Sequence, residues 1–408
     1  MRAAARRGDL QGRLTTVGAA GGDIGAVIEE IRAAGPLVRG AFGYMTADHA
    51  VVREVLTSGD FRSVGTPADA TFLGRISAAT SPDQISPLEP PSLLVTEPPE
   101  HTRYRKLVTR VFTARAVERL RERTEEIAAT LLDGLDPSGP ADLVAGYCGL
   151  LPVTVISEIL GVPERDRRRV LHLGEGAAPA LDFGLGWREY RSVNRSIREF
   201  DDWLTGHLEY LRQHRGDDLL SQLIEARDEQ GSLNEIELKS TAGLVLGAGF
   251  ETTVNLLGNG IRLLNDHPDQ LERLREDPGL WPNAVDEILR VDPPVLLTGR
   301  MTVGGTEVAG HRLPPGSFVT TILAGANRDP KVFEDPARFD VTRANARDHI
   351  AFSAGRHHCL GASLARMEGA VGLRALFDRY PGLALLPGAR RRTTRILRGW
   401  QALPARLA

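Results

Sequence analysis

Cys359 is the residue of this sequence best placed to do chemistry. It stands in Phe352-Ser353-Ala354-Gly355-Arg356-His357-His358-Cys359-Leu360-Gly361, where Gly355 and Gly361 permit tight backbone turns. The apolar spacing of Leu364, Met367, Val371 and Leu376 predicts a helix over 360–380, so Cys359 lies just ahead of a helix N-terminus. Unpaired backbone N–H groups and the helix dipole stabilise a thiolate there. A thiolate that ligates iron needs such a place, because hydrogen bonds to sulfur temper its donation to the metal. Two other readings compete: a buried cysteine that only caps a helix, and His357, His358 and Cys359 together on one ion. Adjacent residues can hardly all converge on one ion. The second cysteine, Cys148, sits in the apolar stretch 147–151 and reads as a small buried hydrophobe.

A second constellation is Gly247-Ala248-Gly249-Phe250-Glu251-Thr252-Thr253, in the middle of the apolar segment 241–264. Each interior glycine costs a helix roughly 1 kcal/mol relative to alanine. Thr252 can also bond back to the carbonyl of Ala248 and disturb the ladder. Local conflict in a buried helix points to a gain elsewhere: a groove widened by small residues, with Glu251 and Thr252 holding water and delivering protons. Close helix packing through glycine and alanine explains the same residues equally well.

Charged pairs at helical spacing are weaker signals. Glu287 and Arg290, three apart, share a helix face ahead of Val291-Asp292-Pro293-Pro294. Such pairs usually mean a surface contact worth a few tenths of a kcal/mol. His101 and Arg105, four apart, open a stretch over 101–123 with eight Lys/Arg against two Glu. Most of that charge reads as a solvated face, on which a small acidic partner could dock.

The elements that must position these residues are mostly helical. Period 3.6 predicts helices over 25–34, 47–58, 102–112, 114–132, 143–160, 190–213, 234–264, 282–290 and 360–380. Prolines 163, 179 and 268 mark breaks. Short strand-like runs appear at 35–38, 301–308, 317–323 and 401–403. The proline-rich stretch 62–99 reads as a long loop over a site. Residues 1–24, rich in Arg, Ala and Gly, read as a flexible N-terminal tail, and 25–408 as a single domain.

Composition sets the remaining bounds. The 408 residues are 42% hydrophobic, enough for a large core. Fifty Lys+Arg against 53 Asp+Glu give a formal charge of −3, which argues against a nucleic-acid partner. Two cysteines far apart in sequence fit no disulfide framework and suit a reducing, cytoplasmic compartment. No stretch approaches the roughly 20 apolar residues of a membrane span.

Together these pieces resemble the cytochrome P450 family of soluble bacterial monooxygenases, from about residue 35 to the C-terminus. The resemblance implies a mainly α fold with small β-sheets, in which haem b lies between a long central helix and the cysteine loop. It makes Cys359 the axial ligand, with Phe352 and Gly361 beside it and His357 on a haem propionate. Segment 247–253 is similar to the family's oxygen-binding groove, which makes Ala248 and Gly249 cofactor contacts and Glu251 and Thr252 the proton-delivery pair. Glu287 and Arg290 resemble its Glu-x-x-Arg pair, with Arg338 as the third structural partner. The stretch Ala326-Asn327-Arg328-Asp329-Pro330 is typical of soluble members, and His101, Arg105 and Arg300 fall where propionate contacts are expected. Two departures stand out: Ser353 replaces a usual glycine, and Phe250 stands where many members carry a smaller or polar residue.

The implied reaction inserts one atom of O2 into a C–H or double bond and reduces the other to water. Electrons are expected from a separate ferredoxin and its reductase, docking near Arg103, Lys106 and Arg110 of a monomeric protein. Leu93, Leu94, Leu181, Phe183, Leu244, Val295, Leu296, Leu297, Ile396 and Leu397 form a candidate pocket for a sizeable apolar substrate, plain core packing being the competing reading. Two rival functions are a peroxide-driven peroxygenase and a catalytically silent haem-binding scaffold. The second would be expected to lack Cys359 or the Glu287–Arg290 pair.

Overall fold

The computed structural model describes residues 2–64, 86–109, 112–182, 186–228 and 231–408. Phe183 and Arg110 lie outside the described residues, as does much of the expected loop over 62–99. The architecture is mainly helical with small sheets. The chain forms two compact units that interleave in sequence: Met1–Phe61 with Ala114–Pro152 and Thr252–Ala408, and Arg62–Thr113 with Val153–Glu251.

The first unit holds four neighbouring strands of one sheet, Val38–Gly40, Gly43–Thr46, Phe318–Thr321 and Thr298–Thr302. In it Gly43–Thr46 runs parallel to Phe318–Thr321, which pairs antiparallel with Thr298–Thr302. The apolar residues Leu37, Val51, Val55, Val308, Leu313 and Val319 form a core cluster in this unit. Residues 2–24, expected as a flexible tail, are helical over Arg2–Arg6 and Leu10–Ala19. Asp9 caps the second of these helices by accepting from Gly12 N at 2.8 Å. Its Leu14 is buried, and Gln11 Nε2 donates to Thr320 Oγ1 at 3.0 Å, tying the helix to the sheet.

Three helices of this unit matter for the site: Trp281–Val291, Ala362–Arg379 and the second half of Glu235–Asp266. They approach closely through glycine. A Cβ on Gly260 would lie 2.7 Å from Leu373 Cδ1, and one on Gly369 3.2 Å from Val285 Cγ1. The expected helix over 143–160 opens instead as a π-helical turn, Val144–Cys148, before Leu150–Ile159. Cys148 is fully buried there, and burial pushes its thiol far above the usual range, as a core hydrophobe requires.

The second unit carries Glu100–Thr109, Glu164–Ala177, Trp187–Gln213, Leu219–Glu225 and the first half of Glu235–Asp266. That 32-residue helix runs unbroken through both glycines of the 247–249 segment. Its start is a capping box: Asn234 Oδ1 accepts from Glu237 N, and Glu237 Oε2 accepts from Asn234 N, both at 2.9 Å. Pro163 and Pro268 stand at helix starts, where a missing N–H costs nothing. Among the described residues no single helix is long and apolar enough to cross a membrane.

Candidate functional site

In the first unit the cysteine loop is a tight, hydrogen-bonded turn. Cys359 N donates to Phe352 O at 2.9 Å, Ser353 N to Ile350 O at 2.9 Å, and His358 N to Gly355 O at 3.1 Å. Gly355 has φ 70°, and a Cβ there would lie 2.6 Å from Leu56 O, so glycine is required on two counts. Ser353 also adopts a left-handed φ of 61°. That is the physical reason for glycine at this place in the family's pattern, and the serine keeps the turn at a cost of about 1–2 kcal/mol.

Cys359 is exposed, and the helix Ala362–Arg379 begins three residues later with Gly361 at its N-cap. Nothing lies within 4 Å of the Cβ position of Gly361. An exposed thiol ahead of a helix N-terminus, beside a glycine that leaves its flank open, suits a flat prosthetic group with one thiolate ligand. His357 is half-buried in the same turn. Arg300 is buried on Thr298–Thr302, its Nη1 donating to Gly299 O at 2.8 Å and Thr298 Oγ1 at 3.2 Å.

Glu287 and Arg290 are fully buried, not a surface pair. Arg290 grips Glu287 with two parallel bonds, Nε to Oε2 at 2.7 Å and Nη2 to Oε1 at 2.8 Å. The remaining guanidinium donors go to the carbonyls of Asn327 at 3.1 Å, Pro336 at 2.8 Å and Arg338 at 2.9 Å. The expected third partner, Arg338, is corrected by this geometry. Its half-exposed side chain turns to Asp340 at 3.6 Å, and it offers Arg290 only its backbone oxygen. The second cation on Glu287 is Arg343, whose Nε lies 3.1 Å from Oε1.

Sequence reading did not single out the side chains that tie this pair to the cysteine loop. Asn327 is fully buried, and its Oδ1 accepts from Ile350 N at 2.7 Å, two residues before Phe352. Arg290, Asn327 and Ile350 thus form one chain of bonds from the ion pair to the loop. Asp286, His349 and Arg366 make a second buried network beside it. Only the stretch 326–330 carried a signal in the sequence; the others are ordinary polar residues until the fold assembles them.

In the long helix the glycines divide. The Cβ position of Gly247 is open, whereas that of Gly249 would lie 3.2 Å from Ile156 Cγ1. Close packing therefore accounts for Gly249 and not for Gly247. Leu244, Ala248 and Thr252, four apart, are partly exposed on a helix otherwise largely buried, while Glu251 is buried. Phe250 is fully buried with its ring against Gly174, where a Cβ would meet Cζ at 2.0 Å, so it packs between helices.

In the second unit His101 is buried and Arg105 half-buried. The expected docking residue Arg103 is engaged by Glu237 at 3.4 Å, and Tyr104 Oη donates to the same carboxylate at 2.8 Å. Burial and that bond push the Tyr104 hydroxyl up to about 12. Of the expected docking cations Lys106 is exposed. The candidate pocket residues are only partly assembled. Val295 bridges Leu397, and Leu296 N donates to Ile396 O at 2.8 Å, bringing those segments together in the first unit. Leu93 is buried, Leu94 exposed, and Leu181 half-buried in the second.

A buried carboxyl completes the inventory. Glu368, on Ala362–Arg379, lies near Thr253, and burial drives its carboxyl well above the usual range, which favours the protonated form.

Comparison with known proteins gives consistent results. The family model described as Cytochrome P450 matches residues 182–278 and 280–385. The chain is 54% identical over 98% of its length, and 93% of the relative's, to cytochrome P450 140 of Mycobacterium tuberculosis. It is 44% identical to the 6-deoxyerythronolide B hydroxylase of Saccharopolyspora erythraea, over 76% of this chain and 77% of that one. Among solved structures it is similar to the Bacillus subtilis bacillaene polyketide synthase cytochrome P450 PksS, with TM-score 0.82, 30% identity, and 94% and 96% of the two chains covered.

Proposed function

From the premise that this chain belongs to the cytochrome P450 family and is a haem b monooxygenase, we propose that Cys359 would hold the haem iron through its thiolate and that the protein oxidises a sizeable apolar substrate with electrons from a separate ferredoxin. The observation that carries the assignment is the Cys359 loop: an exposed thiol, ahead of a helix N-terminus, on a turn closed by Phe352 and Gly355.

When bound, haem b activates O2 for insertion of one oxygen atom into substrate, the other leaving as water with two electrons and two protons. The chain's residues do the rest. Cys359 holds a thiolate, stabilised by the helix N-terminus behind it. His357 and Arg300 would hold haem propionates by charge-assisted hydrogen bonds, and His101 and Arg105 are proposed for the same role. Ala248 and Gly249 would bring helix backbone beside the cofactor, the Cβ side of Gly249 packing on Ile156, and the open Cβ position of Gly247 would leave room. Thr252 holds a proton on its hydroxyl, and the buried Glu251 carboxyl supplies it. Val295, Leu296, Leu297, Ile396 and Leu397 would orient substrate and exclude water, and Leu244 is proposed for the same role.

The substrate class favoured is a macrolide-like polyketide. A hydroxylase of 6-deoxyerythronolide B and a polyketide synthase P450 are among the chain's relatives. The uncharged, aliphatic character of Val295–Leu297 beside Ile396 and Leu397 is compatible with such a substrate. An acidic ferredoxin finds exposed Lys106 on the Glu100–Thr109 helix, since Arg103 is already occupied by Glu237. The protein is read as cytoplasmic and monomeric.

The test is turnover of an apolar polyketide with ferredoxin, reductase and NAD(P)H. Hydroxylated or epoxidised product at near one per NAD(P)H supports the reading, and Thr252→Ala should lower that ratio severalfold while reductant is still consumed. Product with peroxide and none with ferredoxin would establish the peroxygenase instead. Product from neither, despite bound haem, would point to a silent scaffold.

A further inference from the structure

Asp286 neighbours Glu287 but serves different partners. Its Oδ1 accepts from His349 Nε2 at 3.0 Å and from Arg366 Nε at 2.7 Å. His349 Nδ1 accepts from Ala351 N at 3.1 Å, which fixes the tautomer with its proton on Nε2. Burial holds His349 below its usual range, in keeping with a neutral ring. The buried Asp286 carboxylate therefore has one cation in contact, Arg366. The Arg366 guanidinium carbon sits 4.6 Å from the centroid of the Phe352 ring, and the His349 ring lies 5.6 Å from the same ring. Phe352 in turn accepts the Cys359 N–H through its carbonyl. All these residues lie in the first unit.

We propose that Arg366 is a positioning residue for Cys359: Asp286 fixes its guanidinium on the face of Phe352, and this clamp holds the turn that presents the thiolate. The turn needs an external hold because Ser353 occupies a left-handed conformation that a side chain disfavours. A planar guanidinium stacks on a ring and donates sideways to a carboxylate at once, which an ammonium cannot do. Loss of the clamp lets Phe352 swing and loosens the hydrogen bond to the Cys359 amide. The inference rests on Cys359 being the haem ligand.

Haem-loaded Arg366→Met, Arg366→Lys and Asp286→Asn are compared with wild type by two readouts. One is the ferric/ferrous midpoint potential. The other is the rate at which the reduced carbon monoxide complex converts from the thiolate band to the thiol band. Arg366→Met should speed that conversion by about fivefold, the scale of one partly solvated cation–π contact, and shift the potential. Lysine should rescue it only partly, and Asp286→Asn should follow the methionine variant. Val285→Ala, a core truncation on the helix bearing Asp286, should lower the unfolding temperature yet leave both readouts in place. Wild-type values in Arg366→Met, or equal shifts in Val285→Ala, would overturn the proposal. If Arg366→Met takes up no haem, Arg366→Lys and Asp286→Asn decide it by the same readouts. Absence of the thiolate band from wild type would instead refute the ligand assignment.

Discussion

The carbonyl of Phe352 accepts the backbone N–H of Cys359 at 2.9 Å, so the first residue of the loop motif closes the turn on its reactive one. Between them lie two left-handed residues, Ser353 and Gly355. The stability of the loop rests on what holds those two conformations, and each can be perturbed separately.

Ser353→Gly should stabilise the protein. It releases a left-handed cost of about 1–2 kcal/mol, offset by roughly 0.5–1 kcal/mol of glycine backbone entropy. The urea midpoint should rise slightly, and a fall would show that the serine side chain contributes more than its backbone costs.

Gly355→Ala should do the reverse. Its φ is 70° and its Cβ would lie 2.6 Å from a backbone oxygen, so the loop must shift away from Leu56. A loss of about 2–3 kcal/mol in chemical unfolding, with faster haem transfer to apomyoglobin, is expected. Wild-type haem retention would contradict this.

Much of this region could be read before the fold was known. The motifs around Cys359, Thr252 and Glu287 stand on one loop or one helix turn, so local spacing reveals them. Arg343 and His349 escaped notice because their partners lie far away in sequence, and Asn327 was read only as part of the stretch 326–330, without its bond to Ile350. Arg338 was mistaken for Arg343 because both are arginines just after the Asp335-Pro336 turn, and only the path of the chain decides which side chain turns inward. Helical residues 10–19 were missed because their glycines mask a weak apolar period that Leu14 completes against the sheet.

Glu287→Gln should cost about 3–5 kcal/mol, since it strands Arg290 without its counter-charge in a fully buried site. Arg343→Ala should cost less, because Glu287 keeps the bidentate Arg290. Thermal unfolding of the two variants checks the order, and equal losses would mean that Arg343 matters as much as the Glu287 charge it pairs with.

Glu368 gives a pH dependence with a definite sign. Its folded value lies well above the ordinary carboxyl value near 4.3, so the native state binds a proton that the unfolded chain releases. The stability linked to this group is whole below that ordinary value and is lost as pH rises towards the folded one, at up to about 1.4 kcal/mol per unit. Glu368→Gln, which cannot ionise, should gain on wild type as pH rises above the ordinary carboxyl value. Parallel stability curves for the two proteins would show that the carboxyl is not held neutral.

The central claim is that Cys359 carries the iron as a thiolate. The absorption spectrum of the reduced, carbon monoxide-bound protein tests it directly. Wild type and Cys148→Ala should both show the red-shifted band of thiolate ligation, and Cys359→Ala should lack it. A wild-type spectrum without that band, or its survival in Cys359→Ala, would contradict the account.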